Sequence, residues 1–136
     1  LVERFEAMAT DVVSSYGGRV IKSIGDEVMF VMPSVESAAS AALELIDMSR
    51  SDLGADLRVA LARGPALVRQ GDYYGSTVNR AARLVSLAYP GTVLVDEEVA
   101  TVLDGHPGPL RESRGGRGGR PVHDGLPGEA RHGAYG

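Results

Sequence analysis

Apolar residues recur every three or four positions over the first sixteen residues of the chain. The positions with this spacing are Leu1, Phe5, Met8, Val12 and Tyr16. Such a period predicts a helix with one buried face, and Gly17-Gly18 directly after it is a typical C-terminal stop. The next stretch, residues 19–32, is rich in β-branched residues and is interrupted by Gly25-Asp26. It predicts two strands joined by a two-residue hairpin loop.

Two further helical patterns follow the hairpin. Ser34 is expected to cap a helix that runs to about Arg50. The apolar face of this helix consists of Val35, Ala38, Ala39, Ala42, Leu43 and Ile46. Ser76 is likewise expected to cap a helix that runs through Leu87.

Short extended segments separate these helices. Apolar positions alternate over residues 57–61, and residues 66–68 can continue extended before a predicted loop at residues 70–75. Residues 92–95 form another predicted strand, and Asp96 can cap one last helix. This order of elements predicts an α/β fold. Its arrangement is that of an α+β sandwich, in which helices cover a mixed sheet.

The composition of the chain changes near residue 104. Residues 105–136 contain ten of the 18 glycines, four of the seven prolines and all three histidines. Glycine and proline without an apolar period bury too little surface to offset chain entropy. We therefore expect one folded domain over residues 1–104 and a disordered Gly/Pro/Arg-rich tail over residues 105–136. The histidines, at irregular spacing in that tail, are poor candidates for metal ligands or a catalytic triad: His106, His123 and His132.

Charge and cysteine usage remove several classes of function. The formal net charge of −4 argues against a sequence-independent nucleic-acid binder. Because there is no cysteine, a disulfide scaffold and a thiolate zinc site are excluded. No apolar stretch approaches the roughly 18 residues of a membrane span, and no signal peptide is visible. We expect a cytoplasmic setting, with no nucleic-acid partner and no membrane contact by this segment.

The predicted hairpin carries two candidate residues. Of the 14 basic residues 13 are arginine, and the single lysine is Lys22, four residues before Asp26. Either the genome favours arginine, or this position requires a compact ammonium that a guanidinium cannot replace. Asp26 beside Gly25 is ordinary turn chemistry, but with Glu27 it could also hold a hard cation such as Mg²⁺. One or two carboxylates do not establish a metal site.

The segment over residues 71–83 holds the other candidates. Asn79 and Arg83 lie four residues apart on a predicted helix and so share a face. An amide and a guanidinium placed in this way can bind adjacent parts of one polyanionic substrate. Asp72, in the predicted loop before the helix, can accept a hydrogen bond from a base amino group. The alternative is an amphipathic helix whose solvent face simply carries these polar residues.

Taken together, three blocks resemble the catalytic domain of class III nucleotidyl (adenylate/guanylate) cyclases, especially the bacterial homodimeric type. They are residues 17–30, with Lys-x-x-Gly-Asp, residues 71–83, with Asp-x-x-Gly-x-Thr-Val-Asn-x-x-x-Arg, and residues 90–95. The resemblance covers roughly residues 1–103. It implies a ferredoxin-like βαβ-type mixed sheet with covering helices, whose N-terminal strand is missing because it would lie upstream of Leu1.

The resemblance also implies a role for each matched residue. Lys22 and Asp72 match the pair that selects the base, and adenine fits a lysine donor with an aspartate acceptor. Asp26 matches one of two metal-binding aspartates. Asn79 matches the residue that orients the ribose, and Arg83 the residue that stabilises the α-phosphate in the transition state. In such enzymes the 3′-hydroxyl attacks the α-phosphorus in line and pyrophosphate leaves, with two Mg²⁺ or Mn²⁺ ions per site.

The implied function is adenylate cyclase activity, which converts ATP to 3′,5′-cyclic AMP and pyrophosphate for cyclic nucleotide signalling. The resemblance implies a homodimer with two shared active sites. The first strand, with the second metal aspartate, would lie upstream, so we expect residues 1–136 alone to be nearly inactive. The family also closes with a phosphate-contacting lysine, where the tail offers Arg114, Arg117 and Arg120.

Two other functions stay open at this point. One is a non-catalytic cyclase-homology domain that binds nucleotide or dimerises without turnover. The other is a diguanylate-cyclase-like domain, because Gly25-Asp26-Glu27 resembles the acidic hairpin of that group. The second is disfavoured since it leaves the pairing of Asn79 with Arg83 unexplained.

Overall fold

The computed structural model describes residues 2–104 and, for the backbone alone, residues 120–121, 128–131 and 134–135. In this part of the chain the α-helices are α1 (Val2–Ser15), α2 (Val35–Met48), α3 (Ser76–Leu87) and α4 (Glu97–Asp104), and a short π-helical segment, Ser49–Leu53, follows α2. The strands are β1 (Arg19–Ile24), β2 (Glu27–Val31), β3 (Arg58–Leu61), β4 (Leu67–Arg69), β5 (Asp72–Tyr74), β6 (Thr92–Val95), β7 (Arg120–Pro121), β8 (Gly128–Arg131) and β9 (Ala134–Tyr135).

The helix ends follow from local chemistry. α1 ends at Ser15 and is followed by Gly17, whose φ of 84° favours glycine, and the Gly18 N–H donates to the carbonyl of Val13 at 2.9 Å. Ser34 caps α2 by accepting from the N–H of Ser37, whose hydroxyl in turn accepts from the N–H of Ser34. The helices predicted over residues 1–16 and from Ser34 to about Arg50 are therefore confirmed over Val2–Ser15 and Val35–Met48, each with its predicted stop or cap.

The main sheet is mixed, with the strand order β1-β2-β8-β3-β6-β7, and β9 pairs with β8. β3 and β6 run parallel, and the other pairs run antiparallel. β8 lies between β2 and β3, so a segment from the far end of the chain completes the middle of this sheet. β4 and β5 form a separate two-stranded sheet.

Helices cover both faces of the main sheet. One hydrophobic core lies between the sheet and helices α1, α2 and α4. Its members include Phe5, Val12, Phe30, Leu45, Val59, Leu61, Val93, Val95, Val99 and Leu103. Ala60 and Leu94 alternate with these strand residues and are buried outside this cluster, and α3 contacts their strands. α3 therefore packs on the opposite face, and the predicted α/β fold with helices over a mixed sheet is confirmed.

Two local predictions are wrong. Residues 72–74 are not loop but strand β5, paired with β4 across the two-residue turn Gln70-Gly71. Gln70 has a φ of 53° and Gly71 a φ of 80°. Positive φ at both central residues is what a common type of two-residue hairpin turn requires. Ser76 does not cap α3. The cap position is occupied by Gly75, with a φ of 126°, so no side chain caps the start of this helix.

Several predictions concern the end of the chain. The division near residue 104 stays a prediction, since most of residues 105–136 lie outside the described part. Where the backbone of this segment is described, at residues 120–121, 128–131 and 134–135, it forms strands of the main sheet and is not disordered as expected. Five single residues also lie outside the described part: His106, His123, His132, Arg114 and Arg117. For Arg120 the structure describes the backbone, in β7. Among the described residues, no helix combines the length and apolar character that a membrane span requires.

Candidate active site

Lys22 and Asp72, 50 residues apart in the chain, meet in an ion pair. Lys22 Nζ donates to Asp72 Oδ2 at 3.0 Å, with 36% and 26% of the two side chains exposed. The pair joins β1 of the main sheet to β5 of the small hairpin. The two residues predicted to recognise a base therefore lie together, with an ammonium donor beside a carboxylate acceptor.

A β-bulge in β1 determines which face of the sheet carries Lys22. Val20 pairs with Phe30, but Lys22 pairs with Met29, so the register shifts by one residue between them. Val20 and Phe30 pack in the core under α1 and α2, whereas Met29 is buried outside that cluster. Without the shift, Lys22 would share the face of Val20, because side chains two apart on a strand point the same way. The bulge turns Lys22 toward the face on which α3 packs.

Both oxygens of the Asp72 carboxylate accept hydrogen bonds. Oδ2 accepts from Lys22, and Oδ1 accepts from the backbone N–H of Tyr73 at 2.7 Å. The bond from Lys22, followed by the bond from Tyr73, holds the pKa of Asp72 below its ordinary value. The Tyr73 hydroxyl accepts from Arg19 Nη2 at 3.1 Å, which is a second polar link between β1 and β5. Asp72 is thus an oriented carboxylate near neutral pH.

Asn79 and Arg83 lie on the exposed face of α3. The buried residues Thr77, Ala81 and Val85 line the face that packs on the sheet. Neither Asn79 nor Arg83 makes a side-chain hydrogen bond to another residue of the described part of the chain. Their polar groups are accordingly available to a ligand or a partner surface, as the shared helical face predicts.

Asp26 lies at the tip of the β1–β2 hairpin and is exposed. Ile24 pairs with Glu27, so Gly25-Asp26 is the predicted two-residue loop. Within residues 2–104 no hydrogen bond or ion pair joins Asp26 to the other four predicted site residues. The described residues contain no group of three or more side chains that could together hold a metal ion. A carboxylate is nevertheless the donor that Mg²⁺ prefers, and Mg²⁺ commonly takes one or two carboxylates together with substrate phosphates and water.

One polar cluster was missed by the sequence analysis. Arg80 Nε donates to Asp96 Oδ2 at 3.0 Å, beside a cavity of about 520 Å³. The cavity is lined by Arg63, Gly64, Pro65, Ser76, Thr77, Arg80 and Glu98. From the sequence, Asp96 was expected to be a helix cap, and Arg80 occupied an unspecified position between Asn79 and Arg83. No local signal pairs residues that are sixteen positions apart.

The Lys22–Asp72 pair predicts a measurable pH dependence. We expect Lys22→Met to raise the pKa of Asp72 toward its ordinary value of about 3.9, because the largest stabiliser of the carboxylate is lost. Since the folded pKa is the lower one, the contribution of the pair to stability is complete above about pH 5 and is lost as pH falls through the folded pKa. Carbon-13 NMR titration of the Asp72 carboxyl measures both midpoints.

A matched control is available in the exposed ion pair between Arg50 and Asp56, whose Nε and Oδ1 atoms are also 3.0 Å apart. Arg50→Met should leave the Asp72 midpoint where it is in the unaltered protein. An Asp72 midpoint that does not move in Lys22→Met would contradict the structural assignment of this pair.

The family model described as "Adenylate and Guanylate cyclase catalytic domain" matches residues 1–116. The chain is similar to an adenylate cyclase of Glutamicibacter nicotianae, with 47% identity over 104 residues that make up 76% of this chain and 26% of that protein. It is also similar to an adenylate cyclase of Streptomyces coelicolor, with 42% identity over 104 residues, 76% of this chain and 27% of that protein. The chain thus spans about a quarter of the length of these curated relatives.

Among solved structures, the fold is similar to an adenylate/guanylate cyclase/hydrolase from Silicibacter pomeroyi. The TM-score is 0.63 at 22% identity, over 89% of this chain and 79% of that one. At this identity the likeness concerns the fold. The match of the family model over residues 1–116 extends across every predicted site residue. The chain therefore belongs to the adenylate and guanylate cyclase catalytic domain family.

Proposed function

We propose that this domain is the catalytic part of an adenylate cyclase, which converts ATP to 3′,5′-cyclic AMP and pyrophosphate. The observation that carries the proposal is the ion pair of Lys22 with Asp72. Adenine presents an acceptor at N1 next to a donor amino group at N6, which an ammonium and a carboxylate complement. Guanine presents a donor and an acceptor in the reverse order, so it would leave both protein groups unpaired. A site of this kind can discriminate by about 10⁴-fold. The names of the two bacterial relatives support the same substrate.

Asn79 and Arg83 are the proposed catalytic residues. They follow β5 directly in the chain and face solvent on α3, so a nucleotide whose base lies at Asp72 can extend along this helix. The Asn79 amide would hold the ribose so that its 3′-hydroxyl is in line with the α-phosphorus. The Arg83 guanidinium would stabilise the charge that develops on the α-phosphate oxygens as pyrophosphate leaves. No histidine base is required, and residues 1–104 contain no histidine.

Asp26 is the residue proposed to hold a divalent metal ion. Its exposed carboxylate would supply one ligand to an Mg²⁺ or Mn²⁺ ion, and the other ligands would come from ATP phosphates, water and other carboxylates. The two ions per site implied by the family would lower the pKa of the 3′-hydroxyl and neutralise the leaving pyrophosphate.

We further propose that the active unit is a homodimer with shared sites. Exposed apolar side chains lie on the two elements that carry Asp72, Asn79 and Arg83, namely the β4–β5 hairpin and α3. They are Leu67 (69% exposed), Val68 (60%), Tyr74 (49%) and Leu87 (59%). Apolar surface of this kind beside functional groups is typical of an interaction site. One protomer would supply Asp26, and the other would supply Lys22, Asp72, Asn79 and Arg83.

Turnover can be measured in the full-length natural protein that contains this chain. With ATP and Mg²⁺ or Mn²⁺ we expect cyclic AMP and pyrophosphate in equal amounts. Arg83→Ala should lower kcat by about 10²–10³-fold with little change in KM, because the lost interaction belongs to the transition state. Arg50→Ala, at an exposed arginine away from α3, is the control and should keep full activity. Nucleotide binding without any product would instead support the non-catalytic alternative.

Base recognition can be tested with a double variant. Lys22→Glu combined with Asp72→Cys should shift the ratio of kcat/KM values from ATP toward GTP, because the donor and acceptor positions are then altered to suit guanine. The matched control is Arg50→Glu with Asp56→Cys, which changes an ion pair of equal length elsewhere. Retained preference for ATP in the first double variant would disprove the assigned role of this pair.

Sharing of sites between protomers can be tested by mixing two variants. Asp26→Asn and Arg83→Ala should each be nearly inactive alone. Mixing equal amounts should restore about a quarter of the unaltered activity, since half of the dimers are then mixed and each has one intact site of two. Two preparations of Arg83→Ala mixed with each other provide the control. No recovery on mixing, with exchange of subunits verified by labelled protomers, would contradict the shared site.

A further inference from the structure

Asp96 joins three elements of the fold through its carboxylate. Its side chain is 4% exposed and accepts three hydrogen bonds within the described residues. Oδ1 accepts from the N–H of Val99 at 2.9 Å, which caps α4. Oδ2 accepts from the N–H of Arg63 at 3.1 Å, just after β3, and from Arg80 Nε on α3 at 3.0 Å. A buried carboxylate with this many donors is well fixed in position.

Arg80 binds two acceptors with different atoms of one rigid group. While Nε donates to Asp96, Nη2 donates to the carbonyl of Arg63 at 3.2 Å. The planar guanidinium fixes the angle between these bonds, which a lysine with its single nitrogen cannot do. Arg80 therefore fixes α3 both to the end of β3 and to the start of α4.

The buried face of α3 is formed by few side chains. The buried residues are Thr77, Ala81 and Val85, none of which has a side chain larger than that of valine. Short side chains allow a helix to turn or slide with little loss of contact. Polar bonds add to these contacts, and one of them is the bond from Thr77 Oγ1 to the carbonyl of Pro65 at 2.7 Å. At Gly64 a Cβ would lie 2.5 Å from Thr77 Oγ1, so this loop and α3 are in direct contact.

We propose that Arg80 and Asp96 are positioning residues, which set the rotation and axial position of α3 and through it the placement of Asn79 and Arg83. The inference rests on the proposed function of those two residues. A side chain extends about 5–6 Å from the helix axis, so a rotation of about 10° moves its end by about 1 Å. A misplacement of that size can lower the rate by about 10²-fold.

This role is separable from base recognition. Lys22 and Asp72 lie on β1 and β5 and have no hydrogen bond to Arg80 or Asp96 within the described residues. Loss of the Arg80–Asp96 pair should therefore reduce the chemical step and leave the choice between ATP and GTP unchanged. If the substitution only lowered the amount of folded protein, the turnover of ATP and of GTP would both fall in proportion to the folded fraction, and kcat per folded molecule would not change.

The test compares Arg80→Met, which keeps the alkyl stem without the donors, with Arg80→Lys and with Arg50→Met as matched control. In the full-length natural protein we expect Arg80→Met to lower kcat per folded molecule by about 10–100-fold, with KM for ATP changed by roughly threefold or less. The ratio of ATP to GTP turnover should stay constant. Arg80→Lys should recover part of kcat, and Arg50→Met should have no effect.

Hydrogen exchange gives a readout that does not depend on turnover. In Arg80→Met the amides of residues 76–87 should exchange faster, while those of residues 35–48 should not change. If kcat per folded molecule, corrected by thermal unfolding, is unchanged in Arg80→Met, the positioning role is wrong. Unchanged exchange in α3 overturns it as well. If the unaltered protein forms no cyclic AMP, the proposed function fails, and the exchange of α3 decides by itself whether the pair fixes this helix. Should Arg80→Met not fold, the same comparisons are made with Arg80→Lys.

Discussion

The ion pair between Lys22 and Asp72 connects the two sheets of the molecule at the place where its chemistry is expected. The β4–β5 hairpin has no strand pairing to the main sheet in the described residues. Its recorded polar links to β1 are this pair and the bond from Arg19 to Tyr73. Because half-exposed ion pairs contribute little to stability in water, the pair is better understood as orienting two groups than as holding the fold together. The fold itself depends on the core under α1, α2 and α4.

The bulge in β1 shows how a sheet can serve two purposes at once. Val20 must face the helical core, whereas Lys22 must reach Asp72 on the other side. Regular alternation cannot satisfy both, since residues two apart on a strand share a face. The register shift between Val20 and Lys22 allows the two side chains to lie on opposite faces, and one residue of β1 is left without a partner on β2. The bulge is therefore a structural requirement of the ion pair rather than an irregularity.

Sequence patterns predicted the elements that depend on local rules and missed those that depend on distant contacts. The period of apolar residues located α1 and α2, and the Gly25-Asp26 loop located the β1–β2 hairpin. Strand β5 was missed because it is three residues long and its turn, Gln70-Gly71, is an uncommon pair for positive φ. The Lys22–Asp72 contact was anticipated through the family resemblance. The Arg80–Asp96 bond had no such signal, because it depends on how α3 and α4 pack together.

The proposed site residues differ in how far the protomer has already arranged them. Lys22 and Asp72 are paired and partly buried, whereas Asp26, Asn79 and Arg83 face solvent. Charges in water stabilise a transition state weakly, since the high dielectric reduces each interaction several-fold relative to a closed site. In its proposed role, Arg83 would therefore act strongly only once a nucleotide and a second surface excluded water from it. Leu87, one turn further along α3, is exposed and apolar and is suited to that closure. Exposure of the proposed catalytic groups and exposure of the apolar surface would then have one explanation, namely the proposed site shared between two protomers.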